Sequence, residues 1–489
     1  MNAQETEILK ALLRADFYTF LKKVFTTLNP GKAIEDNWHL RVLASELADV
    51  AHGKTHRLII NLPPRSLKSI AASVALVAWY LGHNPSAEVI CASYGSDLAK
   101  KFAFDCRKIM TSAWYEAIFP TRVDRKKSGV DDFYTIQNGA RLATSVGGTL
   151  TGRGGDLVVI DDPAKPDEML SDVQRESVNR WFKSTVYSRL NDKANARIVV
   201  AMQRLHVDDL TGHLLREGGE PWQLLKLAAK AETEETYVYN TPRGPRTYVR
   251  KAGELLHPAR ESETLLAQTQ AALGTYFYSA QYQQEPALPD GNLVNLKWFP
   301  RYAEPPEKFD RKFQSWDTAS TANELSSYSV CTTWGIKDKR IYLIDVYRKQ
   351  VEYPELKRAV IAQAQLHRPQ VILIEEKSSG IMLAQEMKRE GVYSIKTVKP
   401  DKDKVIRMRA QTALMENGQV WLPKEAAWLK AYETELMLFP HAPHDDQADS
   451  TAQALAYWQE QLQEPGLITF YRMELERLGI PIPEVPRLG

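Results

Sequence analysis

The stretch LIINLPPRSLKS, residues 58–69, indicates the fold of the first half of the chain. An apolar run comes before a tight loop that carries Lys68 and Ser69, and the apolar helix pattern of residues 70–80 follows it. Strand, loop, Lys-Ser and helix are the layout of a phosphate-binding loop. Leu62 and Leu67, however, stand where that pattern has glycine. Taken alone, the stretch fits a nucleotide-binding loop and a basic turn between a strand and a helix equally well.

Length and composition predict an ordinary globular protein with two or three domains. The 489 residues include 63 basic and 61 acidic side chains, a net charge of +2 that argues neither for nor against nucleic acid. Three scattered cysteines, without metal-ligand spacing, indicate a reduced, intracellular protein. The longest apolar run, residues 70–81, is too short to span a bilayer, so we expect no membrane contact.

Short apolar runs alternate with helical patterns in the first half, which predicts βαβ units and a parallel sheet covered on both faces. The fold class is therefore α/β. The break EPALPDG, residues 285–291, suggests a domain boundary. After it, three strands in meander order open a second αβ region. We expect a first domain at 1–285 (helical to about 50, with a subdomain at about 220–285), a linker at 286–310, a second domain at 311–463 and a tail at 464–489.

A second nucleotide-binding signal is LVVIDDP, residues 157–163, in which a buried strand presents Asp161 and Asp162 at its carboxyl end. One carboxylate can hold Mg²⁺ and the next can orient the attacking water, although glutamate is commoner in the second role. A strand that ends in an Asp-Asp-Pro turn is the alternative. Together with Lys68 for the phosphates, Ser69 for Mg²⁺ and Arg65 as a further cation, the strand favours nucleotide binding.

Two further residues of the first half are candidates for the same site. Arg153 lies in the glycine-rich stretch GGTLTGRGG, residues 147–155. It fits an arginine finger in a neighbouring subunit's site, a DNA-phosphate contact and a solvated loop residue equally well. Gln203 follows the strand at 197–201 and is the candidate sensor of the γ-phosphate.

Acidic residues in the second half follow apolar stretches in the order of a ribonuclease-H-like nuclease. Carboxylates that converge at one sheet edge repel each other unless divalent cations neutralise them. Two Mg²⁺ or Mn²⁺ ions there would support phosphodiester hydrolysis. Any one of these acids alone would more often be a helix cap or a surface residue. The set consists of Asp317, Glu375, Asp445, Asp446 and Asp449.

The residues resemble a known family, the large terminase subunit of tailed bacteriophages, over about 35–460. The resemblance rests on seven motifs, of which the last four are the most specific in order and spacing: PPRSLKS, TGRGGDLVVIDDP, QRLHVDDLTGHLL, QYQQEP, SWDTAS, LIEEKSSG and HDDQADSTAQAL. It implies an N-terminal P-loop ATPase of the ASCE type with a parallel sheet, and a C-terminal ribonuclease-H-like nuclease with a mixed sheet.

The resemblance also implies roles for individual residues. The loop residues Arg65, Ser66, Lys68 and Ser69, with Asp161, would bind Mg-ATP, and Asp162 would take the catalytic acid position. Asp317, Glu375 and Asp445 or Asp446 would hold the nuclease metals. Glu375 is preferred to Glu376 because it precedes Gly380 by five residues, as in the family. Two departures are Leu67 in place of glycine and Ser327 where relatives often have aspartate.

The resemblance implies a motor that packages double-stranded DNA and cuts concatemeric DNA. Its expected partners are the small terminase subunit, the portal protein on the procapsid, on which the tail would dock, and copies of itself in a ring, often a pentamer. It would act in the host cell cytoplasm and be absent from the mature virion. The alternatives are a cellular repair helicase-nuclease, a defective-prophage protein that binds DNA without turnover, and a scaffold with an inactive loop.

Overall fold

The chain divides into two compact units, Met1–Leu288 and Pro289–Gly489. The structure is a computed structural model that describes residues 3–463 apart from 128, 130, 131, 149, 151, 167, 218–220, 287–292, 319–327, 377, 390–393, 400–402, 441 and 443. Ser327, the predicted tail and part of the predicted linker lie outside the described residues. The finer domain boundaries stay a prediction.

The first unit is built on a sheet of seven strands in the order β3-β4-β2-β5-β6-β1-β7. All neighbouring pairs are parallel except β3 and β4. Two further strands, β8 and β9, form a separate antiparallel hairpin. The strands are β1 (Arg57–Asn61), β2 (Glu88–Ser93), β3 (Phe133–Tyr134), β4 (Ala140–Ser145), β5 (Leu157–Asp161), β6 (Arg197–Met202), β7 (Gln223–Lys226), β8 (Glu235–Thr241) and β9 (Gly244–Arg250).

Helices cover both faces of this sheet, as the apolar runs predict. Alternate residues of one strand enter different cores: Leu58 and Ile60 join one cluster and Ile59 joins the other. This two-sided burial explains why the strands are apolar throughout rather than alternating. The helices are α1 (Ala3–Ala15), α2 (Phe17–Leu28), α3 (Trp38–Ala51), α4 (Val77–His83), α5 (Ser96–Met110), α6 (Ala113–Ile118), α7 (Asp172–Trp181), α8 (Leu210–Arg216) and α9 (Glu263–Gln281).

Some elements of the first unit differ from the sequence prediction. The segment after the loop is π-helical over Ile70–Leu76 before α4 begins. Helix α7 ends at Trp181, and the chain then continues as π- and 3₁₀-helical turns as far as Arg189. The β8–β9 hairpin lies in a region without a clear pattern. Strand β8 alternates between half-buried and exposed residues, β9 is mostly exposed, and Trp38 stacks on Tyr248 at 4.4 Å to hold the hairpin against α3.

The second unit contains a mixed sheet in the order β10-β16-β13-β12-β11-β14-β15. The predicted meander is confirmed, because β11, β12 and β13 pair antiparallel. Parallel strands flank it on both sides, since β14 joins β11 and β16 joins β13. The strands are β10 (Arg301–Tyr302), β11 (Arg311–Asp317), β12 (Ser329–Lys337), β13 (Arg340–Lys349), β14 (Val371–Glu375), β15 (Ile395–Val398) and β16 (Val420–Pro423).

Helices cover both faces of this sheet as well. One core packs residues of α14 and α15 against Phe313 and Trp334, and the other packs α10 and α11 against Trp316 and Ile374. Residues 404–416 form two short helices. The helices are α10 (Tyr353–His367), α11 (Ser378–Arg389), α12 (Lys404–Arg409), α13 (Thr412–Glu416), α14 (Leu429–Leu438) and α15 (Asp446–Gln463). The predicted α/β class, with a parallel first sheet and a mixed second sheet, is confirmed.

No helix among the described residues combines the length and the apolar character that a membrane crossing requires.

Candidate functional site

The loop after β1 adopts the backbone of a glycine-containing loop without its glycines. Leu67 has φ +61° and Arg65 has φ +64°, both in the left-handed region. A side chain in this region costs about 1–2 kcal/mol because Cβ approaches the following carbonyl. The chain accepts this strain at the position where the standard pattern has glycine. The absence of glycine therefore does not prevent the loop from turning tightly into the helix that follows.

Lys68 and Ser69 meet the two acids at the end of β5. Lys68 Nζ lies 3.5 Å from Asp162 Oδ2, and the Ser69 hydroxyl donates a hydrogen bond of 3.0 Å to Asp161 Oδ1. Both Lys68 and Asp161 are buried. Burial first, and then the neighbouring Asp162 carboxylate, raise the pKa of Asp161 to about 7. The two motifs that were separate in the sequence thus form one polar cluster.

Strand order explains this meeting. Strand β6 lies between β1 and β5, and Ala201 is in register with both Ile60 and Asp161. The carboxyl ends of the three parallel strands therefore coincide, which is the edge where ligands bind in such sheets. Gln203, just after β6, donates its backbone N–H to Asp162 Oδ1 at 3.3 Å. It reaches the predicted site, but through its main chain.

The donor set at this edge fits a hard divalent cation. Asp161 Oδ2 is buried and has no hydrogen-bond partner among the described residues. A buried carboxylate oxygen without a partner is costly unless a ligand satisfies it. Together with the Ser69 hydroxyl beside it, this oxygen is of the type that Mg²⁺ prefers.

A cavity of about 270 Å³ adjoins the loop. The loop residues 64–67, among them Arg65 and Ser66, form one wall, and His39, His257 and Arg260 contribute to the rest. Burial lowers the pKa of His39 to about 3, so its imidazole is neutral at physiological pH. Glu35 and Glu261 also line the cavity, so it offers neutral, cationic and acidic groups beside the loop.

Arg153 is engaged within its own chain. Its guanidinium donates to the Tyr134 hydroxyl at 2.7 Å and lies 3.2 Å from Asp132 Oδ2. These contacts tie the glycine-rich stretch to the edge of the sheet. Among the described residues, no contact joins Arg153 to Lys68, Ser69 or the two acids at the end of β5.

The second cluster of acids lies at the ends of β11 and β14 in the other unit. These strands are parallel, with Trp316 in register with Ile374, so Asp317 and Glu375 are the next residues on neighbouring strands. Both are buried. Gly380 allows α11 to start directly over this edge, because a Cβ there would lie 2.2 Å from the carbonyl oxygen of Glu375. The spacing from Glu375 to Gly380 thus has a steric cause.

Helix α15 is anchored to β11 by buried hydrogen bonds. The Ser450 hydroxyl donates to the carbonyl oxygen of Ser315 at 2.8 Å, and Gln453 donates to the Ser315 hydroxyl at 3.0 Å. These bonds fix the first turn of α15 against the strand that ends in Asp317. Asp449 precedes Ser450 and lies one turn after Asp445, whose carbonyl accepts its N–H at 2.9 Å.

Two cations of α12 connect these acids. Arg407 Nη1 lies 3.0 Å from Glu375 Oε1, and Arg407 Nη2 lies 3.0 Å from Asp449 Oδ1. Lys404 forms an ion pair with Asp445. That hydrogen bond raises the pKa of Lys404.

Asp446 has a different environment. Burial, followed by the charge of Asp445, raises the pKa of Asp446, while His444 and Arg348 oppose the shift. The Arg348 guanidinium lies 4.0 Å from the centre of the Tyr328 ring. Asp445 and Asp449 therefore each pair with a different cation of α12, whereas the charge of Arg348 acts on Asp446.

In the second unit, residues 314–457 match the family model described as "Terminase RNaseH-like domain". Over these residues the chain is similar to the terminase ribonuclease-H-like family. The resemblance to phage large terminases is confirmed for this part of the chain. Comparison with curated proteins finds no match.

Solved structures similar to the chain include three terminases. The large terminase from a thermophilic bacteriophage, in complex with ADP, is 12% identical, with 88% of this chain and 97% of that chain covered and a TM-score of 0.47. The HK97 bacteriophage large terminase is 10% identical, with 84% and 90% covered and a TM-score of 0.35. The large terminase nuclease from thermophilic phage G20c with bound magnesium is 15% identical, with 35% and 98% covered and a TM-score of 0.28.

The second unit contains two candidate functional residues, Lys404 and Arg407, that no sequence motif indicated. Lys404 and Arg407 lie in a short helix without a motif of its own, so only the fold brings them to the acids. Within the part of the chain that the structure describes, no three His, Cys, Asp or Glu side chains form a group that could hold a metal ion. Glu375, Asp445 and Asp449 are paired with the two cations of α12.

In the first unit, two of the sequence motifs, QRLHVDDLTGHLL and QYQQEP, contact each other. Gln284 of QYQQEP is buried, with φ +57°, and its side-chain oxygen accepts the N–H of Arg204 at 3.0 Å. The Arg204 guanidinium pairs with buried Asp209 at 3.0 Å. Asp209 also caps α8 by accepting from Gly212 N–H. The motifs QRLHVDDLTGHLL and QYQQEP therefore meet beside Gln203.

Proposed function

We propose that the protein is a phage large terminase: an ATP-driven motor that moves double-stranded DNA and a metal-dependent endonuclease that cuts it. The observation that carries the proposal is the placement of Asp317 and Glu375 on adjacent strand ends of a domain that matches the terminase family. The polar cluster of the first unit, in which a Lys-Ser loop meets two acids, supports the ATPase half.

In the ATPase site, Lys68, Ser69 and Asp161 hold Mg-ATP. Bound Mg²⁺ supplies positive charge to the β- and γ-phosphates. The triphosphate competes with Asp162 for the Lys68 ammonium, now 3.5 Å from that carboxylate. Once released, Asp162 orients the attacking water, while the Gln203 N–H keeps its carboxylate in place. The nucleoside occupies the cavity beside the loop.

In the nuclease site, Asp317 and Glu375 are the first two metal ligands, and Asp449 and Asp445 of the α15 region complete the set. Asp446 is a further candidate ligand. Mg²⁺ or Mn²⁺ held by these carboxylates would supply Lewis acidity for activating a water molecule and for stabilising the leaving oxygen of a phosphodiester. The buried hydrogen bonds between α15 and β11 hold the acids of both elements in a fixed relation.

We further propose the biological setting that this pair of activities implies. The protein packages DNA into a procapsid through a portal protein, receives DNA from a small terminase subunit, and acts as a homo-oligomeric ring, a pentamer in the simplest case. It works in the host cell cytoplasm and is not part of the mature virion. Contacts to DNA phosphates would make its DNA binding sensitive to salt.

Two substitutions test the two activities separately. Lys68→Ala should abolish ATP hydrolysis but leave Mn²⁺-dependent plasmid cleavage intact, and Asp317→Asn should do the reverse. Lys101→Ala and Asp310→Asn are matched controls, because each removes one member of an exposed ion pair in the same unit. Undiminished ATPase activity in Lys68→Ala, or undiminished cleavage in Asp317→Asn, would refute the corresponding assignment.

A packaging assay tests the biological role. Purified protein with procapsids, small subunit and concatemeric DNA should protect DNA from added nuclease, and Lys68→Ala should eliminate this protection. A repair helicase-nuclease would retain both activities but protect no DNA, and a scaffold with an inactive loop would show neither activity.

A further inference from the structure

Arg407 occupies the space between two buried carboxylates of the proposed nuclease site. Its two terminal nitrogens lie 3.0 Å from Glu375 Oε1 and 3.0 Å from Asp449 Oδ1. Glu375 belongs to β14 and Asp449 to α15, so the guanidinium bridges two elements that are distant in sequence. Lys404, one turn earlier on α12, performs a similar task for Asp445.

The Arg407 guanidinium reduces the repulsion between the Glu375 and Asp449 carboxylates. The side chains of Glu375 and Asp449 are only 2% and 9% exposed, so water screens their charges poorly. Two buried carboxylates facing one another are unfavourable without a cation between them. A planar guanidinium can donate separately to both and is charged at every physiological pH.

The same oxygens are those that divalent ions would require. Carboxylates are the preferred protein ligands of Mg²⁺ and Mn²⁺. A divalent ion that coordinated Glu375 Oε1 and Asp449 Oδ1 would lie beside the Arg407 guanidinium, and the two positive charges would repel each other in this buried site. Binding of metal through these atoms must therefore move Arg407.

We propose that Arg407 is a positioning residue that takes the place of a divalent cation in the metal-free protein and competes with the metal for Glu375 and Asp449. This inference rests on the proposed nuclease function of the site. It explains why the described residues hold no ready metal cage although they hold the acids for one. Arg407 holds a positive charge between the two carboxylates until the metal replaces it.

The test measures metal binding rather than cleavage. Isothermal titration of the full chain with Mn²⁺ should show affinity at least about tenfold higher for Arg407→Gln than for the wild type, because the variant has no charge-assisted hydrogen bonds to lose. Calorimetry should show a lower melting temperature for Arg407→Gln without metal and a larger rise on adding Mn²⁺. Lys396→Gln is the matched control, because it removes a cation from an exposed pair with Glu460 in the same unit.

The outcomes separate this inference from the proposed function. If the wild type binds Mn²⁺ and Arg407→Gln binds it equally well or more weakly, the competition is refuted and the nuclease site stands. If neither the wild type nor Arg407→Gln binds Mn²⁺, the nuclease site itself is refuted, and the inference falls with it. Should Arg407→Gln not fold, Arg407→Lys provides the same comparison, because a single ammonium cannot donate in the forked geometry and should release the acids more easily.

Discussion

The left-handed backbone at Leu67 predicts an unusual order of stability for two substitutions. Leu67→Gly and Leu67→Ala both remove the half-buried leucine side chain and differ only at Cβ. In ordinary backbone, alanine is more stable than glycine by about 0.5–1 kcal/mol, because glycine loses more freedom on folding. At φ +61°, a Cβ costs about 1–2 kcal/mol. The two terms have opposite signs, and the strain is larger, so Leu67→Gly should be more stable than Leu67→Ala by about 1 kcal/mol.

Differential scanning calorimetry of the full chain measures this difference. For a unit of this size, about 1 kcal/mol corresponds to a shift of roughly 2–4 °C in the melting temperature. The relevant transition is the one that both variants displace from its wild-type position. Because the variants lack the same leucine side chain, the loss of its packing cancels from the comparison.

Leu62, the other leucine that stands in place of glycine, is the internal control. It is fully buried and is not among the described residues with positive φ. Leu62→Gly should therefore be less stable than Leu62→Ala, in the ordinary order. The reasoning would be refuted if Leu67→Ala were as stable as Leu67→Gly, or if the order at Leu62 were also inverted.

The remaining predictions concern buried groups. Asp209→Ala should destabilise the first unit by about 3–5 kcal/mol in denaturant titrations, since it leaves a partly buried guanidinium unpaired, whereas Asp208→Ala, at an exposed site, should cost less than about 1 kcal/mol; similar losses would contradict this. Gly380→Ala, whose Cβ would lie 2.2 Å from the Glu375 carbonyl, should lower the melting temperature of the second unit, and an unchanged value would contradict the close packing. Burial lowers the pKa of His39 to about 3. Below about pH 6.5 the unfolded state therefore takes up a proton that the folded state does not, and the free energy of unfolding decreases as the pH falls. Between pH 6 and 5, His39→Gln should lose about 1 kcal/mol less than the wild type, and equal losses would contradict a buried neutral imidazole.

Much of the fold could be predicted because its apolar pattern is strong. The run at residues 58–62 and its counterparts are buried on both faces, and such strands are recognisable from continuous hydrophobicity. The β8–β9 hairpin was missed because the residues of β8 alternate between half-buried and exposed and the packing of the hairpin depends on Trp38, far away in sequence.

The candidate sites could likewise be predicted only in part. The strand ends at Asp161, Asp317 and Glu375 carry acids directly after apolar runs, so the sequence places them at sheet edges. Which acids share a neighbour was not predictable, because Asp445 and Asp446 are adjacent in sequence, yet Asp445 pairs with Lys404 whereas burial dominates the environment of Asp446. That difference follows from the rotation of about 100° between successive residues at a helix start.

Local periodicity and residue type were enough to predict the class of the two sheets, the Lys-Ser loop and the order of the acids. Only the tertiary structure decided that β6 separates β1 from β5, that Leu67 takes the left-handed backbone and that Arg407 lies between Glu375 and Asp449. Each of these depends on contacts between residues distant in the chain, where burial makes charge pairing and backbone strain energetically decisive.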